Sequence, residues 1–73
     1  MRTVRDSEGL SWICLELPEI PRERQAAAAA IRPEPIAIEC NSGAARAIAL
    51  VAENWVDAMS DEELLAVIQR SLI

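Results

Sequence analysis

The sequence predicts an α+β fold, in which a small antiparallel sheet carries a C-terminal amphipathic helix on one face. Three observations support this prediction. Two strand-like segments flank a turn-forming stretch near the start, residues 36–40 alternate in side-chain size, and the last fourteen residues join a helix cap to apolar residues at helical spacing. With 73 residues, the chain is expected to form one small domain, 1–73.

The first predicted element is a β-hairpin. Residues 2–5 form a short strand, Asp6-Ser7-Glu8-Gly9 has the composition of a turn, and residues 10–17 are rich in strand formers. Both faces of the second strand are mostly apolar: Ile13, Leu15 and Leu17 on one, Trp12 and Cys14 on the other. We therefore expect both faces of this strand to be covered.

The next segment is rich in alanine and bounded by prolines. Pro18 and Pro21 end the strand, and the alanines after Gln25 favour a helix of about ten residues, which Pro33 and Pro35 would stop. Such a helix is marginal unless it docks. The alternative is a low-complexity linker, so the sequence leaves open whether residues 22–32 are ordered.

Residues 36–58 allow two interpretations. In the first, Ile36 to Cys40 and Ala47 to Val51 are strands of a second hairpin that turns at Asn41-Ser42-Gly43, which completes a four-stranded sheet. In the second, residues 44–58 form a helix and the domain is mostly α. The apolar stripe of that helix comprises Ala44, Ala47, Ile48, Val51, Ala52, Trp55 and Met59. Periodicity and the helix propensity of alanine favour the second interpretation.

The C-terminal helix is the most clearly marked element. Ser60 and Glu63 have the spacing of a capping box, and Met59 and Leu64 that of a hydrophobic staple. Asp61, Glu62 and Glu63 place negative charge at the helix N-terminus. The apolar stripe consists of Leu64, Leu65, Ile68 and Leu72.

The chain resembles a family of very short, uncharacterised bacterial proteins with the pattern R-x-V-x-D-x-x-G-x-x-W near the start. Here that pattern is met by Arg2, Val4, Asp6, Gly9 and Trp12. Later matches are residues 36–40 and Trp55 followed by Ser60-Asp61-Glu62-Glu63-Leu64. Similar sequences have an arginine-rich alternation at the position of residues 46–51, so the resemblance implies a strand there, although this chain has alanines instead. The resemblance implies no activity.

The strand interpretation gives four antiparallel strands in two hairpins, with the C-terminal helix on one face. We expect that helix to bury Ile36, Ile38, Ile48 and Leu50, which alternation would place together. The alanine-rich segment would then cross to a face formed by Ala37, Ala47 and Ala49. If that segment does not dock, the second face stays partly bare.

Charge and hydropathy argue against several classes of function. The net charge is −5 with no lysine, which disfavours nucleic-acid binding. The longest apolar runs, residues 26–31 and 47–52, are far shorter than a membrane span. The N-terminus lacks the apolar core of a signal peptide, so we expect a cytoplasmic protein.

No residue pattern indicates a catalytic, cofactor-binding or metal site, and we expect none. Cys14 and Cys40 do not form a CxxC pair, and the chain has no histidine. Two cysteines outside such a motif are most often buried free thiols. The alternative is a disulfide or redox pair.

Other candidate residues have a structural interpretation beside a functional one. Trp12 and Trp55 are core residues or partner anchors, and the acidic run 61–63 is a helix cap or a cation site. Glu16 and Glu39 could form a carboxylate pair. The arginines at positions 2, 5 and 46 could bind an anion or pair with the surplus acids.

Together these features predict a non-enzymatic protein-interaction module, either a homodimer or an accessory subunit. The hydrophobic fraction of 52% is large for a domain too small to hide it. The alternative is a thiol-based redox enzyme or sensor that uses Cys14 or Cys40. A small-molecule ligand has no support in the sequence.

Overall fold

The computed structural model describes residues 1–30 and 35–73 and confirms the α+β prediction. Within these two ranges, a four-stranded antiparallel sheet has the order β1-β2-β3-β4, and three helices accompany it. The strands are β1 (Arg2–Arg5), β2 (Ser11–Glu16), β3 (Ile36–Asn41) and β4 (Arg46–Val51). The helices are α1 (Gln25–Ala29), α2 (Trp55–Ala58) and α3 (Asp61–Arg70).

The first hairpin forms where the turn residues predicted it. Asp6 Oδ1 accepts the backbone N–H groups of Glu8 at 2.9 Å and Leu10 at 3.0 Å, which closes the turn. Gly9 has a φ of 84°, a conformation that costs least for glycine. Val4 then pairs with Trp12 and Arg2 with Cys14.

The second hairpin resolves the ambiguity of residues 44–58 in favour of a strand. β4 pairs with β3 along its whole length, from Ile36 opposite Val51 to Asn41 opposite Arg46. Gly43 makes the turn with a φ of 87°, and Asn41 Oδ1 accepts its N–H at 2.7 Å. Sheet pairing therefore overrides the helix propensity of the alanines, and the continuous helical alternative is wrong. Only α2 is helical within that stretch.

The connection between the hairpins contains a 3₁₀ turn, Arg22–Arg24, followed by α1. With five residues, α1 is about half as long as predicted. Ala28 is its buried residue and lies outside the main core. The predicted stop at Pro33 falls in residues 31–34, outside the described part of the chain.

Strand alternation and register divide the sheet into two faces. The helix face carries Arg2, Val4, Trp12, Cys14, Glu16, Ile36, Ile38, Cys40, Ala47, Ala49 and Val51. The second face carries Thr3, Arg5, Ser11, Ile13, Leu15, Ala37, Glu39, Asn41, Arg46, Ile48 and Leu50.

The main core lies between the helix face and α3. Leu64 and Ile68 of α3 are fully buried there with Trp55, and α3 contacts both edge strands, β1 and β4. The predicted capping box is present, since Ser60 Oγ accepts from Glu63 N and Glu63 Oε1 accepts from Ser60 N. The prediction that a capped C-terminal helix covers the sheet is confirmed.

Two predictions about the faces are wrong. Ile48 lies opposite Glu39, so Ile48 and Leu50 belong to the second face, whereas Ala47 and Ala49 lie under α3. The register between β3 and β4 decides this, because a shift of one residue exchanges the faces. β2 is also not covered on both sides, because Ile13 and Leu15 remain 47% and 48% exposed on the second face.

Candidate functional site

Both tryptophans are core residues with a hydrogen-bonded indole. Trp12 Nε1 donates to Asp6 Oδ2 at 3.1 Å, and Trp55 Nε1 donates to Glu16 Oε1 at 2.9 Å. The bond from Trp12 lowers the pKa of the Asp6 carboxyl below its ordinary value, and backbone N–H groups of the turn lower it further. Because both indoles are buried, the core interpretation of Trp12 and Trp55 is confirmed.

Arg2 joins the start of the chain to its last two helices. Its Nη1 donates to the backbone carbonyls of Trp55, Val56 and Met59, and its Nη2 donates to Asp61 Oδ1 at 2.7 Å. The Arg2 side chain is largely buried. Trp55 O also accepts from Met59 N, whereas the carbonyls of Val56 and Met59 receive their bonds from Arg2. Arg2 therefore holds α2 and the N-terminus of α3 against β1.

Each residue of the R-x-V-x-D-x-x-G-x-x-W pattern has a structural role in this chain. Arg2 binds α2 and α3, Val4 and Trp12 lie in the core, Asp6 closes the turn, and Gly9 adopts the positive φ. None of these roles needs a ligand. The pattern is therefore explained by folding.

Cys14 and Cys40 lie directly opposite each other on β2 and β3. The nearby bond from Leu17 N to Ala37 O at 2.9 Å fixes the alternation of hydrogen bonds along these strands. By that alternation Cys14 and Cys40 occupy a non-hydrogen-bonded pair, the position at which opposed Cα atoms are closest, at about 4.5 Å. Both thiols are free and fully buried, as the prediction of buried free cysteines required.

The two thiols have different acidities. Interaction with the neighbouring Cys40 thiol lowers the pKa of the Cys14 thiol; burial opposes this shift and the Arg2 guanidinium supports it. Interaction with Cys14 and burial raise the pKa of the Cys40 thiol, and the charges of Cys14 and Glu39 raise it further. Arg2 lies directly opposite Cys14 on β1, so Cys14 is the better placed of the two to carry a thiolate.

Most of the acidic residues considered as functional candidates have a partner of their own. Glu16 and Glu39 lie on opposite faces of the sheet and do not form a carboxylate pair. Glu39 Oε2 instead lies 3.8 Å from Arg46 Nε, and the Asp61 carboxylate pairs with the Arg2 guanidinium. The bonds from the Ser60 backbone and hydroxyl lower the pKa of Glu63, as expected of a helix cap.

The second face has an apolar opening at its centre, which we call the open patch: Ser11, Ile13, Leu15, Glu39, Asn41, Ser42 and Gly43. These residues line a shallow depression of about 410 Å³. Ile13 and Leu15 belong to β2, an inner strand, yet each is half exposed. Ala37 and Ile48 on the same face are buried, so the opening is confined to one part of it.

A second groove of about 660 Å³ lies between the first turn and α3. Leu10, Trp12 and Leu65 line it, and carboxylates of Glu8 and Glu62 stand among its lining residues. This charge disfavours an anionic ligand. In residues 1–30 and 35–73 there is no group of three or more acidic or cysteine side chains placed to hold a metal ion.

The sequence allowed a disulfide or redox pair as an alternative and a partly bare second face if the alanine-rich segment did not dock, but it could not place either the thiol pair or the open patch. Both arise from the register between β2 and β3, which belong to different hairpins. The only sequence feature that could have indicated the patch is the two-sided apolar pattern of β2.

Comparisons of the chain with protein-family models, curated proteins and solved structures found no significant match. No helix within the described ranges is long and apolar enough to cross a membrane.

Proposed function

We propose that this protein is a non-enzymatic interaction module that pairs with a second copy of itself through the open patch. The observation that carries this proposal is the half exposure of Ile13 and Leu15 at the centre of the sheet. Apolar side chains grouped on an inner strand are typical of a surface that a partner covers.

Charge supports a second copy as the partner. The second face carries Arg5, Arg46 and Glu39, so the negative excess of the −5 protein lies on its other surfaces. Two copies that meet at this face keep their acidic surfaces apart. A two-fold arrangement also allows Arg46 of one copy to approach Glu39 of the other.

The edges of the sheet are less suited to pairing. β1 is four residues long with an arginine at each end, a pattern that opposes strand addition. The outer edge of β4 is partly occupied, because Leu72 bridges to Ala47 and Ile73 N donates to Arg46 O at 3.0 Å. Face-to-face contact is therefore favoured over edge-to-edge contact.

We expect the dimer to be weak. Burying the remaining exposed half of an isoleucine or leucine contributes about 1 kcal/mol, so Ile13 and Leu15 of both copies together provide roughly 4 kcal/mol before the cost of association. A free energy of about 4 kcal/mol corresponds to a Kd of about 1 mM, and the cost of association weakens binding, so we expect a Kd in the millimolar range. The two free thiols fit a reducing compartment, so the proposal includes a cytoplasmic location.

The absence of catalysis is part of the proposal, and the inventory of side chains supports it. The chain has no histidine, and the carboxylates of Asp6, Glu16 and Glu39 are already engaged by Trp12, Trp55 and Arg46. These contacts leave neither tryptophan-bound carboxylate nor Glu39 free to act as a general base.

Sedimentation equilibrium from low micromolar to millimolar concentration tests the proposal. We expect the average mass to rise above the monomer's 8.0 kDa. The double variant Ile13→Thr/Leu15→Thr, which keeps strand formers in β2, should remain monomeric. The matched control Val56→Thr changes another exposed apolar residue away from the patch and should behave as the wild type.

Two results would overturn the proposal. One is a wild-type protein that stays monomeric throughout the concentration series. The other is association that persists undiminished in the double variant, with its circular dichroism spectrum confirming that it folds. The second result would place the contact elsewhere on the molecule.

A further inference from the structure

We propose that Cys14 and Cys40 form a reversible dithiol–disulfide pair across β2 and β3. This inference concerns the helix face and does not depend on the proposed function, which uses the second face. A CxxC motif is not required, because the register of the sheet brings the two residues together.

Backbone geometry supports the bond. At a non-hydrogen-bonded position of an antiparallel pair, the two Cα atoms lie about 4.5 Å apart, within the range of about 4.4–6.8 Å that disulfides span. Cys14 and Cys40 are directly opposite each other in the register, so both side chains lie on the same face of the sheet. The sulfur atoms can therefore join without a change in strand register.

The chemistry divides between the two residues. The Cys14 thiolate, beside the Arg2 guanidinium on the neighbouring strand, attacks one sulfur of glutathione disulfide. The old S–S bond breaks, and the released glutathione thiolate takes up the proton that left Cys14. Cys40 then loses its proton and attacks the Cys14 sulfur, which releases the second glutathione. Two protein thiols are oxidised, and one glutathione disulfide is reduced to two thiols.

Burial makes this exchange depend on opening of the core. Both cysteines are fully buried in the cluster that includes Leu64 and Ile68 of α3. A glutathione mixed disulfide needs space at Cys14, so it forms while α3 is locally displaced. The fold thus favours the final disulfide and disfavours the mixed intermediate.

The test is the equilibrium of the whole protein with a glutathione redox buffer, in native conditions and in urea. Quenched samples are digested and mapped without reduction, so that a peptide containing Cys14 is found joined to one containing Cys40. We expect the ratio of disulfide to dithiol to be on the order of a hundredfold higher in the native protein than in urea.

A native ratio equal to or below that in urea would overturn the inference, because the fold would then not favour the bond. Accumulation of glutathione on Cys14 or Cys40 in the native protein, in place of the cross-link, would overturn it as well. The comparison uses the wild-type chain in both conditions, so it does not require a cysteine variant to fold. Cys40→Ala serves as the control that should give no cross-linked peptide.

Discussion

At the scale of single residues, Asp6 shows how one side chain organises a hairpin. Its carboxylate accepts two backbone N–H groups of the turn and the indole N–H of Trp12. The turn is thereby tied to a core residue. A carboxylate that accepts several hydrogen bonds is stabilised in its ionised form.

The first prediction follows from the lowered pKa of Asp6. Its contribution to the free energy of unfolding is complete at pH values above its ordinary pKa of 3.8 and is lost as the pH falls towards the lowered pKa of the folded state. Asp6→Asn replaces Oδ2 by a donor and breaks the bond with Trp12. We expect the variant to be less stable at neutral pH, with the difference shrinking below pH 3.8.

Urea unfolding followed by tryptophan fluorescence at several pH values measures this effect. Glu8→Gln, in the same turn, is the matched control and should track the wild type. An Asp6→Asn variant whose deficit is the same at neutral and acidic pH would contradict the assignment to the ionised carboxylate.

The second prediction concerns Arg2. Arg2→Met keeps the length of the side chain but removes its donors, so the carbonyls of Val56 and Met59 and the Asp61 carboxylate lose this partner. We expect the free energy of unfolding to fall by about 2–3 kcal/mol. Arg5→Met makes the same change at an exposed position of the same strand and should cost no more than about 0.5 kcal/mol. Equal losses in denaturant titrations of the two variants would contradict this role of Arg2.

At the scale of elements, α3 covers the sheet face that holds the thiol pair. Its capping box satisfies backbone donors at the end where Arg2 also binds Asp61. Weakening this end should raise the fraction of molecules in which α3 is displaced.

The third prediction is that Ser60→Ala speeds the reaction of the thiols with a disulfide reagent. Loss of an N-cap costs about 1 kcal/mol, which corresponds to about a fivefold rise in the open population. The rate of thiol release with an aromatic disulfide under native conditions measures it. Ser71→Ala, at the other end of α3, keeps the backbone bond from Ser71 N to Ile68 O and should leave the rate unchanged. A Ser60→Ala rate equal to that of the wild type would show that α3 is not the barrier.

β4 illustrates what the sequence could and could not predict about the elements. The turn at Asn41-Ser42-Gly43 and the alternation along β4 allowed a strand, but periodicity and alanine propensity favoured a helix, and the resemblance to the short bacterial proteins decided for the strand. Side-chain size then suggested that Ile48 and Leu50 face α3, but Ala47 and Ala49 do. The two tryptophans fill much of the volume on the helix face, so small neighbours pack better there.

The candidate sites were less predictable than the elements. Whether Cys14 meets Cys40 depends on the register between strands that a long connection separates, and local patterns carry no information about such a register. The open patch depends in addition on which face of the sheet receives α3. Burial of each cysteine, in contrast, followed from residue type alone.

At the scale of the whole molecule, the two faces of the sheet have separate roles in the two proposals. The helix face holds the main core and the thiols, and the second face holds the open patch. A change confined to one face should therefore leave the other intact.

The fourth prediction is that oxidation stabilises the protein. A bond between Cys14 and Cys40 closes the loop of residues 14–40 in the unfolded chain and should add about 3–4 kcal/mol to the free energy of unfolding. Urea titrations of the oxidised and reduced forms measure the difference. Cys40→Ala treated with the same oxidant should show no such gain, and an oxidised wild type no more stable than the reduced form would contradict both this prediction and the proposed thiol pair.

The large sequence separation between Arg2 and its partners affects when the chain can fold during synthesis. Its partners Trp55, Val56, Met59 and Asp61 are made more than fifty positions later, so the first hairpin leaves the ribosome without the groups that complete its edge. Contacts so distant in sequence slow folding and postpone it until most of the chain has emerged. A nascent chain stalled before residue 55 should remain open to proteases, whereas one that exposes α3 should resist them.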